Sequence, residues 1–299
     1  MQYHKIPLIA AVVFMASLSC TNNTQQRAVE HPNELSEETH LSPTDLGNSF
    51  EWPEGIKMGL SLSFDDARPS QIDKGIPLFD KYNVKGTFYI IPDNMKGRMD
   101  KWRQAVANGH EVGNHTILHP CTGNYSFSYE NDLESFTLEM MKKDMEAAGL
   151  FIKNSLGVDA VSFAYPCGQT FVGEGENTQS YVPLVASLFE TGRGWLDEGP
   201  NDPAVCDMAQ LLGMKLDGKS FREVKRMIES AKSTGKWLIL VGHEMDRKGE
   251  QTSYLSTLEA ICKYATDPAN GIWIDNIQNI ASYVVQQRKE MLISDDLSM

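Results

Sequence analysis

The sequence predicts an α/β fold, and its leading form is a single (β/α) barrel that is closed or partly closed. From residue 51 to about residue 288, short apolar segments typical of strands alternate with longer segments of helical period. This alternation favours parallel strands joined by crossover helices. The number of such units in one domain favours a barrel, and an open doubly wound sheet is the alternative.

Each predicted element rests on its own local pattern. The predicted strands are short apolar runs at residues 58–64, 86–91, 111–114, 161–165, 188–191, 237–241 and 271–274. The predicted helices repeat apolar residues every three or four positions and lie at residues 70–82, 100–108, 133–156, 220–234, 253–266 and 276–289.

The composition suits one sizeable globular domain. The chain has 299 residues, of which 41% are hydrophobic and 22% are charged. Acidic residues outnumber basic ones 40 to 27, the formal net charge is -13, and no cluster of Lys and Arg stands out. This charge argues against nucleic acid as a partner.

The first 20 residues are typical of an export signal. Lys5 supplies positive charge, an apolar run follows at residues 6–16, and small residues precede Cys20. This arrangement resembles a bacterial lipoprotein cleavage site, at which Cys20 would be lipidated. We therefore expect a membrane-anchored lipoprotein that faces the periplasm or the cell surface. Plain secretion and an uncleaved N-terminal anchor are the alternatives.

Composition divides the rest of the chain into three parts. Residues 21–50 are polar and are expected to form a flexible tether, residues 51–290 the folded domain, and residues 291–299 a tail. Apart from Cys20 there are four cysteines, namely Cys121, Cys167, Cys206 and Cys262. Disulfides are compatible with export, but four cysteines do not reveal their pairing, and the absence of a Cys-x-x-Cys pair disfavours a structural zinc cluster.

Polar residues with catalytic chemistry follow the predicted strands directly. Asp65 and Asp66 follow the first strand, His115 and His119 follow the third, and His243 follows the strand at residues 237–241. In a barrel the carboxyl ends of the strands meet at one rim, where active sites are built. We therefore expect these side chains to lie close together.

Two imidazoles and one carboxylate form a common catalytic zinc site that leaves one coordination position open. His115 and His119 are four residues apart, so a helix or a turn would point both at one place. Adjacent carboxylates at a strand end point in different directions, which permits one to bind metal and the other to act as a general base. The alternatives are a solvated helix face for the histidines and a helix N-cap for one aspartate.

The pattern resembles the polysaccharide deacetylase family, the NodB-homology carbohydrate esterases of family 4. Residues 63–66, Ser-Phe-Asp-Asp, match the first family motif, and residues 109–120 match the second. The resemblance implies a distorted or incompletely closed barrel of the NodB type. It implies that Asp65 is the catalytic base and that Asp66, His115 and His119 hold a divalent metal, expected to be zinc, with cobalt or nickel as alternatives.

The later motifs depart from the family pattern. The third reads Arg-x-Pro-aromatic-Gly in the family, whereas residues 164–168 read Ala-Tyr-Pro-Cys-Gly, without the arginine and without the aromatic residue. The N–H group of Cys167 can still donate to an oxyanion, because that role does not depend on the side chain. We expect Arg193 to replace the missing arginine from another strand and to contact Asp65.

The fourth and fifth motifs supply the remaining expected site residues. Residues 193–195, Arg-Gly-Trp, stand in for the fourth motif and place Trp195 in the substrate pocket. Residues 241–243, Val-Gly-His, match the fifth, which implies that His243 is the general acid and that Val241 forms an apolar wall beside the acetyl group.

The resemblance implies a monomeric enzyme that hydrolyses N-acetyl or O-acetyl groups of a polysaccharide or oligosaccharide. One alternative is a C–N hydrolase of the same fold that acts on a small cyclic amide. A second is a non-catalytic carbohydrate-binding lipoprotein. A third uses Cys167 or Cys121 as a nucleophile. This third alternative is disfavoured because thiols of exported proteins are usually oxidised or structural.

Overall fold

Eight parallel strands form the main sheet of residues 50–298, which are the residues that the computed structural model describes. The predicted export signal, Cys20 and residues 21–49 of the predicted tether lie outside the described residues. The strands are β1 (Met58–Phe64), β2 (Thr87–Ile90), β3 (Glu111–Asn114), β4 (Ser162–Ala164), β5 (Thr191–Arg193), β6 (Met214–Lys215), β7 (Trp237–Gly242) and β8 (Ile272–Ile274).

The strand order describes a curled sheet. From one edge to the other it runs β5-β4-β3-β2-β1-β7-β6, and β8 pairs with the first half of β1. Between the two edge strands, the N–H group of Gly194 donates to the carbonyl of Leu211 at 2.8 Å, so the segment that connects them bridges part of the gap. The prediction of one incompletely closed (β/α) barrel is confirmed.

Strand alternation divides the core into an outer and an inner layer. In β1, Leu60, Leu62 and Phe64 pack under the surrounding helices. The opposite faces of the strands line the barrel interior, where Ile239 and Val241 of β7 pack with residues of the last helix. Every residue of β1 and β7 is buried, as expected for parallel strands that are covered on both faces.

The described residues contain seven α-helices, of which six lie between strands and the last follows β8. They are α1 (Ile76–Lys81), α2 (Met99–Ala107), α3 (Leu138–Leu156), α4 (Val182–Leu188), α5 (Phe221–Ser233), α6 (Leu255–Ala265) and α7 (Ile277–Ser298). Helix α5 begins with a capping box formed by Ser220 and Glu223, and α3 ends at Gly157 with φ of 77°. No helix of residues 50–298 is both long enough and apolar enough to span a membrane.

The structure differs from the predicted elements in several places. Pro183 helps to start helix α4, and Leu188 is the last residue of that helix. The predicted strand bounds of residues 188–191 are therefore wrong, and the observed strand begins at Thr191. Thr137 caps α3, so the predicted helix begins at Leu138 instead of residue 133. Helix α4 and the two-residue strand β6 were not predicted, because short elements carry too little periodicity. Helix α7 runs to Ser298 and includes most of the predicted tail.

Candidate active site

A cleft of about 670 Å³ opens at the carboxyl ends of the barrel strands. The loops after six strands supply its wall: Asp65 and Asp66 follow β1, Ile91 and Asn94 follow β2, His115 and His119 follow β3, Cys167 follows β4, Trp195 follows β5, and His243 follows β7. The structure therefore brings together the acids and histidines that the sequence places at the strand ends.

Left-handed backbone is concentrated around this cleft. Asp66, His119, Cys167, Leu196 and Gln251 all line the cleft and have φ between 42° and 76°. Residues other than glycine rarely adopt this conformation, and such residues cluster at functional sites where the surrounding structure enforces them. At Asp66 the turn directs the two adjacent carboxylates to different partners.

Asp66, His115 and His119 form the group that fits a metal ion. The Nε2 atoms of His115 and His119 lie 3.5 and 3.7 Å from Oδ1 of Asp66, and the three candidate ligand atoms lie within 4.8 Å of one another. Asp66 Oδ1 is buried and accepts no hydrogen bond from the described residues. A buried carboxylate oxygen without a donor is costly unless a cation occupies the space before it. The three residues therefore fit a divalent metal.

The other side-chain oxygen of Asp66 and its backbone carbonyl both accept hydrogen bonds, which fixes the orientation of the residue. Arg68 Nε donates to Oδ2 at 2.9 Å, and Asn94 Nδ2 donates to the backbone carbonyl at 2.8 Å. Burial works to raise the pKa of the Asp66 carboxyl, but the neighbouring imidazoles of His115, His119 and His243 outweigh it and lower the pKa. The carboxylate is thus held in the ionised form that binds metal.

The two histidines are held by their own loop. His115 Nδ1 lies 2.9 Å from the carbonyl of Ala164, which leaves Nε2 as the lone-pair nitrogen toward Asp66. Thr116 Oγ1 accepts from the N–H of His119, and the carboxylate of Asp144 accepts from the N–H groups of Ile117 and Leu118. Burial and the neighbouring His115 lower the pKa of His119 to about 4, so its imidazole is neutral as a metal ligand must be.

Arg193 is fully buried and forms an ion pair with Asp65. Its Nη2 donates to Oδ1 of Asp65, and Nη1 donates to the carbonyl of Gly194 at 2.8 Å. The guanidinium also lies over the ring of Tyr89, 4.8 Å from its centroid. Ala164, which stands where the family has arginine, is the register partner of Arg193 on the adjacent strand. The two positions share one face of the sheet, so an arginine at either can approach the same carboxylate.

His243 is paired with a carboxylate that the sequence analysis missed. Its Nδ1 lies 2.7 Å from Oδ2 of Asp217, and Asp217 Oδ1 accepts a hydrogen bond of 2.7 Å from Ser253. Burial works to lower the pKa of His243, but the hydrogen bond that its ring donates to Asp217 and the charges of Asp65 and Asp66 raise it above its ordinary value. The ring of Trp195 stands edge-on to His243, with ring centroids 5.0 Å apart.

Cys167 is joined to Cys121 by a disulfide, with 5.9 Å between their Cα atoms. This pairing resolves what four cysteines left open, and it removes either thiol as a nucleophile. It also ties the loop after β4 to the loop that carries His119. Among the described residues, Cys206 and Cys262 remain free thiols.

Val241 is the one predicted pocket residue that the structure does not place at the cleft. It lies inside β7, is fully buried, and packs with other inward-facing residues of the barrel. His243 reaches the cleft because it follows the end of the strand. The structure thus separates the two residues that the fifth motif placed together.

Arg68, Tyr89, Asp217 and Ser253 are functional candidates that the sequence analysis did not select. Arg68 was detectable, because it is the first basic residue after the two aspartates and the turn returns its side chain to Asp66. Asp217 comes shortly after β6, so the rule that selected the other strand ends would have found it had that short strand been predicted. Tyr89 and Ser253 carry no signal in the sequence beyond residue type.

Replacement of Arg193 is expected to impair the base without removing metal. We expect Arg193→Ala to lower turnover at least about 10-fold, because the buried Asp65 loses its charge partner. Steady-state kinetics and metal content would be measured together, with Arg103→Ala at an exposed position as the control. Partial recovery in the double variant Arg193→Ala with Ala164→Arg would show that turnover follows the guanidinium. Normal turnover of Arg193→Ala would refute the role of Arg193 as the charge partner of Asp65.

Comparison with known proteins finds a family match over part of the chain. Residues 54–179 match the family model described as polysaccharide deacetylase. An uncharacterized 30.6 kDa protein from Geobacillus stearothermophilus is 24% identical over 179 residues, which cover 56% of this chain and 62% of that protein. The aligned part thus spans less than two thirds of the length of this relative.

Solved structures share the fold at low sequence identity. The peptidoglycan deacetylase PdaC from Bacillus subtilis superposes with a TM-score of 0.50 and 15% identity, over 81% of this chain and 98% of that chain. Puue allantoinase superposes with a TM-score of 0.54 and 14% identity, over 85% of this chain and 97% of that chain. At these identities the likeness is one of fold. The stretch that matches the family model, residues 54–179, contains both motifs with the paired aspartates and histidines, so this part of the chain is similar to the polysaccharide deacetylase family, the NodB-homology carbohydrate esterases of family 4.

Proposed function

We propose that the protein hydrolyses acetyl groups from the sugar units of a polysaccharide or oligosaccharide. The observation that carries this proposal is the unpartnered Oδ1 of Asp66, which faces two imidazoles beside a second, separately held carboxylate. This combination would give one cleft both a metal position and an independent base. The family match supports acetylated carbohydrate as the substrate class.

The metal would be held by Asp66, His115 and His119. A divalent ion bound there would supply Lewis acidity, which polarises a carbonyl and lowers the pKa of water. Zinc suits two imidazoles and a carboxylate, and cobalt or nickel suit them as well. Arg68 keeps the second carboxylate oxygen of Asp66 occupied, so a single oxygen of this residue faces the site.

The residues of the chain then divide the reaction between them. Asp65 accepts a proton as water attacks the acetyl carbon, through the oxygen that Arg193 leaves free. The N–H group of Cys167, at the cleft wall, donates to the oxyanion that develops on the acetyl oxygen. His243 gives a proton to the departing amine or alcohol as the C–N or C–O bond breaks and acetate forms.

The Asp217 carboxylate prepares His243 for this last step. It holds Nδ1, so Nε2 is the nitrogen that remains to carry the transferred proton. Because the pKa of His243 is raised, the imidazolium persists to higher pH than an isolated histidine would allow. General-acid activity would accordingly decline as pH rises through that raised pKa.

Two other functions use the same fold. A hydrolase of a small cyclic amide is compatible with the fold shared with the allantoinase. A carbohydrate-binding protein without activity would need neither the Asp65–Arg193 pair nor the His243–Asp217 pair, and both are buried at the cleft. Burial of charged pairs requires compensation, so their presence together favours catalysis over binding alone.

Acetate release from defined substrates tests the function. The panel would contain N-acetylglucosamine oligomers, peptidoglycan fragments, O-acetylated xylan and allantoin, each with and without a chelator. We expect acetate from at least one acetylated glycan and none after chelation. Hydrolysis of allantoin alone would support the cyclic amide hydrolase, and binding without any hydrolysis would support the carbohydrate-binding protein.

We further propose that the protein is exported and anchored through lipidated Cys20, and that it acts as a monomer. The Cys121–Cys167 disulfide supports an oxidising compartment, because disulfides are rare in the reducing cytosol. In a bacterial host, Cys20→Ser is expected to block lipid attachment and to move the protein from the membrane fraction to the soluble fraction or to stop its processing. Identical fractionation and processing of the two forms would favour plain secretion or an uncleaved anchor.

A further inference from the structure

Two exposed aromatic side chains form part of the cleft wall without serving the core. Tyr125 and Phe127 are stacked, with ring centroids 5.4 Å apart and ring planes 8° from parallel. They remain 45% and 70% exposed, although both line the cleft that contains Asp65 and His119. Exposed aromatic residues grouped in a cleft are typical of ligand-binding surfaces. We call this pair the aromatic platform.

The loop beneath the aromatic platform is held in place at several points. Ser128 is buried, and its Oγ accepts from the N–H group of Cys121 and donates to the carbonyl of the same residue. Glu134 accepts from Thr122 Oγ1 and from the N–H of Gly123. The Cys121–Cys167 disulfide anchors the start of the loop. A fixed loop loses little conformational entropy when a ligand binds to it.

The chemistry of the loop indicates an uncharged ligand. Residues 121–129 contain no charged side chain and consist of aromatic, small and hydroxyl or amide residues, in a chain whose net charge is -13. A pyranose ring suits such a surface, because its faces present C–H bonds to the electron-rich face of an aromatic ring while its hydroxyl groups stay hydrated. Rigid aromatic residues next to Ser and Asn provide this kind of contact elsewhere in binding loops.

We infer that the aromatic platform is a subsite that binds a second sugar ring of the glycan, next to the unit whose acetyl group is removed. The inference rests on the proposed function for the identity of the ligand. The platform lies in the same cleft as the candidate catalytic residues, so a glycan chain can occupy both at once. Substrates of several sugar units should therefore bind more tightly than a single acetylated sugar.

Binding is best measured where turnover cannot consume the ligand. In the full chain that carries Asp65→Asn, calorimetric titration would use tetra-N-acetylchitotetraose and O-acetylated xylotetraose as probes. We expect Phe127→Ala and Tyr125→Ala each to weaken binding of the preferred tetramer about 10-fold, and Phe127→Tyr to retain it. In active protein, the loss should fall mainly on KM and should increase with the length of the oligosaccharide.

Tyr129 provides the matched control on the same loop. It is 68% exposed but is not among the residues that line the cleft, so Tyr129→Ala should bind the tetramer as the parent does. Unaltered binding in Phe127→Ala and Tyr125→Ala, an equal loss in Tyr129→Ala, or a parent that binds neither tetramer would overturn the inference. Tetramer binding that depends on Phe127 without acetate release from any glycan would instead refute the proposed function and leave the platform standing.

Discussion

Asp65→Asn is expected to lower the rate of acetate release by about 100-fold or more while the protein keeps its metal. The amide is similar in size to the carboxylate and can still accept a hydrogen bond from Arg193, but it cannot take a proton from the attacking water. Asp66, which faces His115 and His119, is unchanged by this substitution. Metal content and steady-state rates measured on the same preparation would separate loss of the base from loss of the metal.

The control for this substitution is Asp100→Asn, at a highly exposed aspartate on α2 whose ion pair within the described residues is with Arg103. It should leave rate and metal content at the level of the unmodified protein. If Asp65→Asn lost its metal and Asp66→Asn retained it, the roles of the two aspartates would have to be exchanged.

His119→Ala is expected to lose both bound metal and acetate release. Removing one of three ligands leaves too few donors for a stable site, and Lewis-acid stabilisation is worth several kcal/mol, so the rate should fall by at least about 100-fold. Chelation of the unmodified protein should have the same effect, and zinc or cobalt should then restore its activity but not that of the variant. Elemental analysis and acetate release provide the two measurements.

Leu118→Ala is the matched control, because Leu118 precedes His119 in the same loop and is 47% exposed. Its backbone N–H donates to Asp144, and this hydrogen bond survives the substitution. Full activity in protein shown to be free of metal would refute metal dependence, while the family match would stand.

The positions of the barrel strands could largely be predicted, because long buried strands such as β1 and β7 have continuous apolar runs. The short elements could not be predicted in this way. Helix α4 and strand β5 lie within residues 182–193. The sequence of residues 188–191 is typical of one strand, but its first residue is the last residue of α4 and its last residue is the first of β5. Tertiary packing decides such cases, because a few apolar residues fit either structure.

The sequence by itself determined which residues stand at the strand ends and hence the composition of the candidate metal-binding group. Asp66 follows β1 and the two histidines follow β3, so any barrel with this strand order brings them to one rim. The spacing between His115 and His119 is local, and the loop that holds them uses neighbouring residues such as Thr116.

Only the tertiary structure decided the partners of those residues. Arg193 and Asp65 are 128 positions apart, the paired cysteines 46, and His243 and Asp217 26. The first pairing was a hypothesis in the sequence and the other two were not assigned. These contacts depend on how far the sheet curls and on the path of its connecting loops, because those determine which side chains of separate strands meet. Local sequence patterns determine neither the curl of the sheet nor the path of the connecting loops.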